Sequence, residues 1–292
     1  MSGFMQFIEA TFQPMVLVFT VSNLFVMGLQ AKMPLVIEVF KNKKAIALIF
    51  VWGWVLGPAV GYLTTWALPL AEPYVVVVLL SSLAPCAPFL PPLVEKARGD
   101  VHFAGAFVPL VAVGTVVLMP LIAPLLITGV TISTGALAKA LLLTILLPLV
   151  IGAAIRHYAD TTATRIFPAV RGFALLALLA MVVSLFVLYT PEMLHTVGSF
   201  ALLSMTIFMV VMGLITYRFG FGLRQDQRSV MSLGMLTRNG AAVLIAALAI
   251  PDVDPRIITM TVMWVIWSLI LAAIVARIFA KQAENTVAGN TT

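Results

Sequence analysis

The residue with the greatest chemical consequence is Arg238, in the run Gly234-Met235-Leu236-Thr237-Arg238-Asn239-Gly240. It lies nine residues into an apolar stretch that begins near Ser229. At 1.5 Å of rise per residue that is roughly 14 Å deep, close to the middle of a hydrocarbon layer about 30 Å thick. A guanidinium at that depth does not reach water by extending its side chain. Its planar fork of donors matches a carboxylate, sulfonate or phosphate. The structural alternative is that it satisfies carbonyls freed by a helix break or pairs with a buried carboxylate, but no Asp or Glu falls inside any other expected span except Glu95, near the cytoplasmic end of the third. Thr237 and Asn239 flank it, and Asn23, Ser81 and Ser82 fall at similar depth in other apolar stretches. These five are candidates to hydrogen-bond a ligand, although small polar side chains in membrane helices also join helices to one another. Cys86, the one cysteine, stands in Ala84-Pro85-Cys86; a thiolate is a soft ligand, whereas a buried thiol acts as a small hydrophobe. The three histidines, His102, His157 and His195, occupy separate segments. No nucleophile with a base and no metal cluster is visible, so neither an enzyme nor a cofactor is expected.

The elements that position these residues follow from composition. Of 292 residues, 62% are hydrophobic and 10% charged, against roughly 45–50% and about 25% in a globular protein. Windows of about 20 apolar residues bounded by charge, Pro or Gly predict an all-α integral membrane protein with nine transmembrane helices, at 12–30, 44–68, 74–97, 101–127, 136–156, 172–189, 198–218, 229–250 and 257–280. Residues 1–11 form an N-terminal segment without a basic stretch or cleavage site, so no cleaved signal peptide is expected. Residues 281–292 are polar and predicted to be a disordered cytoplasmic tail. The tryptophans, among them Trp52, Trp54 and Trp264, read as packing, and the Met-rich run from Met205 to Met212 as flexible core filler.

Net charge is +6, but the cations are scattered between apolar runs rather than gathered on one patch, which excludes a nucleic-acid partner. Their scatter is regular. Every second connection and the C-terminus hold Lys32, Lys41, Lys43 and Lys44; Lys96 and Arg98; Arg156, Arg165 and Arg171; Arg218, Arg224 and Arg228; and Arg277 and Lys281. The alternate connections hold only Lys139 and Arg256, with Glu72, Glu192, Asp252 and Asp254. By the positive-inside rule this predicts a multi-pass plasma (inner) membrane protein, N-terminus outside and C-terminus cytoplasmic.

Two of the expected spans are interrupted at mid-depth. The third carries Pro85, Pro88, Pro91 and Pro92; each removes an amide donor and clashes with the carbonyl four residues earlier. The eighth is interrupted at Gly234–Gly240. Freed backbone at membrane depth is tolerated only inside protein or along a wet cavity. Discontinuous helices in corresponding positions of two halves are a sequence pointer to a transporter's binding site, where half-helix ends offer amides and partial charge to a ligand.

At these residues the chain resembles the bile acid:sodium symporter family, within the larger group that includes arsenite efflux permeases. The matching pieces are Phe25-Val26-Met27-Gly28-Leu29, Ala97-Arg98-Gly99-Asp100, Leu121-Ile122-Ala123-Pro124, and Leu233-Gly234 followed by Arg238-Asn239. The resemblance implies inverted repeats, with a core domain holding two crossing discontinuous helices and a panel domain that rocks against it. The first helix of the usual ten is missing here, giving repeats of 4+5 over 12–128 and 136–280. The sodium-coordinating positions implied by the resemblance fall on Leu90, Pro91, Ala104, Val108, Gly234 and Arg238, so most of the oxygen ligands that a hard cation requires are replaced. The alanine-proline-cysteine at Cys86 is similar to that of arsenite permeases.

The expected function is therefore a secondary active transporter moving a small organic anion, a carboxylate or sulfonate, by alternating access and not through the usual sodium sites. Its partners are the lipid bilayer, a small anionic substrate and a coupling proton or ion, and the expected site is Arg238, Asn239, Thr237, Asn23, Ser81, Ser82 and Cys86. The alternative is an arsenite or metalloid efflux permease using Cys86.

Overall fold

The structure is a computed structural model that describes residues 3–31, 34, 37, 41–129, 132–196 and 198–289. The described residues are helical apart from turns and one isolated antiparallel bridge between Pro85 and Arg238. Seven helices are long and apolar enough to cross a membrane: α1 (Gly3–Gln30), α2 (Lys43–Ala67), α5 (Val101–Leu126), α6 (Thr134–Tyr158), α7 (Asp160–Thr196), α8 (Ala201–Arg218) and α11 (Pro255–Gly289). Between them stand four shorter helices, α3 (Glu72–Ser82), α4 (Leu90–Lys96), α9 (Gln225–Leu236) and α10 (Gly240–Leu248). These occupy the third and eighth expected spans, each of which is two helices instead of one.

Local sequence explains the interruptions. Pro85 and Pro88 lie between α3 and α4, while Pro91 and Pro92 fall in the first turn of α4, where a missing amide costs little and the fixed φ suits a helix start. Cys86, in the same break, takes a left-handed φ of 67°. The second break is the three residues Thr237–Asn239, and Asn239 caps α10 by accepting from the Ala242 amide at 3.2 Å. Asp100 caps α5 in the same way, accepting from the Phe103 amide at 2.9 Å. Such side-chain acceptors satisfy amides that a helix start leaves bare.

Two long helices each contain a widened π turn, Val51–Leu56 in α2 and Leu142–Leu146 in α6. Helix α7 starts one residue after α6 ends and is kinked at Tyr189, where φ is −122° and ψ 18°, two residues before Pro191. A proline lacks the amide donor and crowds the carbonyl four residues earlier, which kinks a helix ahead of it. Helix α11 runs past the expected span to Gly289, through most of the stretch expected to be a disordered tail. Its extension is held by Tyr217 donating to Gln282 Oε1 at 2.9 Å and by Arg98 paired with Glu284 at 2.6 Å. Residues 290–292 of that tail, and Lys32, lie outside the described residues.

Helix α1 lies along α6 and α7; α2 packs on α3 and α8, α8 on α9, α4 on α5 and α9, and α6 on α5 and α10. Helix α11 touches α7 on one side and α3, α9 and α10 on the other. The largest apolar cluster runs through α2–α5 and α8–α11 and reaches α6 and the C-terminal half of α1. A smaller one, of Phe12, Val16, Met181, Leu185, Leu244, Ile258 and Val262, joins α1 and α7 to α10 and α11.

Candidate functional site

The two breaks meet. Pro85 and Arg238 pair as a single antiparallel bridge, and the backbone on each side is sewn to the other. The Asn239 amide donates to Ala84 O at 2.8 Å; the Cys86 amide donates to Gly234 O at 2.9 Å and Thr237 O at 3.0 Å. Thr237 Oγ1 accepts from the Ala87 amide at 3.2 Å and donates to Leu233 O at 2.8 Å. An unpaired amide or carbonyl in an apolar interior costs several kcal/mol, so each break is satisfied by the other. The amides of Cys86, Ala87 and Asn239 are engaged across the crossing in this structure.

Arg238 stands at the centre of this crossing and is 2% exposed. Its Nη2 donates to Met235 O at 2.7 Å and its Nη1 to Ser82 O at 3.4 Å. Ser82 is the last residue of α3 and Met235 the last but one of α9, so both carbonyls belong to C-terminal helix ends, which carry partial negative charge. The guanidinium carbon lies 4.5 Å from the centre of the Phe208 ring of α8, a cation–π contact. Trp264 of α11 meets the same ring edge-on at 5.7 Å. Arg238 Nε, which is buried, has no hydrogen-bond partner. Among the described residues no carboxylate lies within ion-pair distance of this guanidinium.

The remaining expected residues divide. Thr237, Asn239, Ser81, Ser82 and Cys86 are all buried at the crossing. Ser82 Oγ turns back on Leu79 O at 2.7 Å and the Asn239 side chain caps α10, so both hold backbone. The Cys86 thiol points to Ala87 O at 3.6 Å, and no group of three His, Cys, Asp or Glu able to hold a metal occurs among the described residues. Asn23 is half-buried on α1 and contributes no hydrogen bond to the crossing.

Residues read from the sequence only as packing build the wall. The π turn of α2 lies against the first break: Trp54 Nε1 donates to Leu83 O at 3.1 Å. One and two turns further on, a side chain at Gly57 would meet Ser82 O at 2.9 Å and one at Gly61 would meet Ser82 Cβ at 2.8 Å. The spacing Gly53, Gly57, Gly61 is a small-residue stripe of the kind that lets membrane helices approach closely, and it is the signal that marks this wall in the sequence. Phe107 of α5 covers Gly234, where a Cβ would lie 2.3 Å from its ring. Phe208 carries no signal of its own within the Met-rich run.

Beyond the crossing, the ends of α4, α9 and α11 are laced by charge. Arg224 Nη2 lies 3.0 Å from Asp100 and 2.8 Å from Asp226, and the Arg224 hydrogen bond holds the Asp226 carboxyl below its ordinary range. A cavity of about 240 Å³ opens here, lined by Ala97, Arg98, Arg224, Gln225, Asp226, Ser229 and Ala283. Its ion pairs are half-exposed and rank below the crossing, because solvent already satisfies such groups.

In comparisons with known proteins, the sequence pattern of the Sodium Bile acid symporter family matches residues 15–196. That match covers α1 to α7 and ends before the second break. No curated protein matches the chain.

Proposed function

From the premise that the chain belongs to the sodium bile acid symporter family, and so is a membrane transporter, we propose that it moves a small organic anion by alternating access. The crossing of the two broken spans is the substrate site. Nine spans, the third and eighth broken, carry the N-terminus outside and the C-terminus in the cytoplasm of the plasma membrane. The observation that carries this reading is Arg238: a fully buried guanidinium, without a carboxylate partner among the described residues, whose Nε has no hydrogen-bond partner. Buried charge is costly unless compensated. Two carbonyl dipoles offset part of that cost, and a carboxylate or sulfonate supplies the rest when bound.

In the conformation described, the crossing is closed on every side. The small apolar cluster that joins α1 and α7 to α10 and α11 is suited as the seam of a rigid-body movement that opens it. Rocking of one bundle against the other exchanges its exposure between the two faces of the membrane. No bond is made or broken in the substrate; binding energy only biases the two states.

Coupling through the family's usual sodium positions is not expected. Gly234 has no side chain and Phe107 fills the space beside it, while Leu90, Pro91, Ala104 and Val108 offer no side-chain oxygen. Hard cations need such oxygens.

The test is uptake of a panel of small carboxylates and sulfonates into liposomes holding the purified protein. Arg238→Ala is expected to lower uptake of the transported anion by at least about tenfold, the scale on which a buried charge partner acts. Unchanged uptake would remove Arg238 from the substrate's path. Cys86→Ser is expected to leave anion uptake intact; loss of arsenite export by that variant, with no anion moved by either form, would establish the metalloid reading instead.

A further inference from the structure

Arg238 is held in a manner unusual for a group that waits only for an anion. Its two terminal nitrogens donate to carbonyls at the C-terminal ends of two different half-helices, Ser82 O of α3 and Met235 O of α9, and an aromatic face lies beneath its charge. Every one of these contacts is a cation's contact. Helix C-termini carry about half a negative charge each, and unwound carbonyls together with half-helix ends are the groups that hold a monovalent cation in transporters with broken helices. Two such ends brought together at membrane depth repel one another, and a positive charge between them removes the repulsion.

We propose that the Arg238 guanidinium is a covalently tethered cation that permanently fills a monovalent-cation site between the ends of α3 and α9, keeping the crossing assembled without an ion from solution. This deepens the reading of the crossing given above and rests on the same buried guanidinium. It adds a consequence: truncating the side chain uncovers a carbonyl-lined hole that accepts a free cation. The hole is bounded by Ser82 O, Met235 O and the Phe208 ring, and is of a size that guanidinium ion itself refills.

The test needs no knowledge of the substrate. The thermal unfolding midpoint of the detergent-purified full chain is measured in choline chloride, sodium chloride and a few millimolar guanidinium chloride at one ionic strength, for wild type, Arg238→Ala, Arg238→Gln and Arg238→Lys. Wild type and Arg238→Lys, which keep a tethered charge, are expected to be indifferent to the cation. Arg238→Ala and Arg238→Gln are expected to melt lower in choline and to recover by at least several degrees, saturably, with sodium or guanidinium. If Arg238→Ala fails to fold, the Gln variant carries the comparison alone. The proposal is overturned if neither ion raises the midpoint of the Ala or Gln variant, if those variants melt as wild type in choline, or if wild type gains as much from sodium as they do. Because the readout is stability, an anion-uptake experiment that fails leaves this result standing, and the reverse holds too.

Discussion

At the scale of single residues, the site is a problem in satisfying buried polar groups. Arg238 brings five N–H donors into a buried place, and the two breaks bring carbonyls that no helix uses. Each solves part of the other's problem. Trp54 does the same on a smaller scale, since its Nε1 is the side-chain donor that reaches Leu83 O just beyond the end of α3. Replacing Trp54 with Phe leaves that carbonyl bare and withdraws the outer edge of the ring from Gly114. The expected cost is about 1–3 kcal/mol, read as a fall in the unfolding midpoint of purified protein; an unchanged midpoint would show that the bond contributes nothing to the crossing. That Arg238 is buried was legible in the sequence, because it falls inside an apolar stretch. Its partners were not. Which carbonyls it meets depends on two breaks some 150 residues apart in the chain being brought together, and no local pattern contains that. Trp54 and Phe208 were hidden for the same reason: an aromatic residue in an apolar helix has the same local signature whether it packs or holds a break.

At the scale of elements, the sequence announced the two breaks through prolines and glycines, whose backbone effects are local. It did not announce the π turns of α2 and α6, which arise from how a helix must rotate to meet its neighbours, nor the helical run of α11 beyond residue 280. There Tyr217 and Arg98 supply tertiary partners that composition does not reveal. Backbone meets backbone closely at α1 and α6, where Gly28 and Gly152 face each other. A side chain at Gly28 would lie 2.3 Å from Leu149 O, and one at Gly152 would lie 2.5 Å from Phe25 O. These neighbours are backbone and cannot turn aside. Gly28→Val is therefore expected to force α1 and α6 apart and to destabilise the protein by about 1–3 kcal/mol, seen as a lower unfolding midpoint. A midpoint at or above that of wild type would mean that the two helices do not need this contact.

At the scale of the whole molecule, apolar composition and the alternation of charge were enough to give a helical membrane protein, and the family match over residues 15–196 makes it a transporter. What the molecule adds is a buried crossing of the two breaks, with a positive charge at its centre. If that charge takes the place of a soluble cation, transport runs without sodium. The most direct measurement is uptake of the transported carboxylate or sulfonate into liposomes by the wild-type protein, at fixed voltage and pH, with sodium replaced by choline on both sides. The account predicts the same initial rate in both salts. A rate that collapses when sodium is withdrawn, and returns with it, would contradict it.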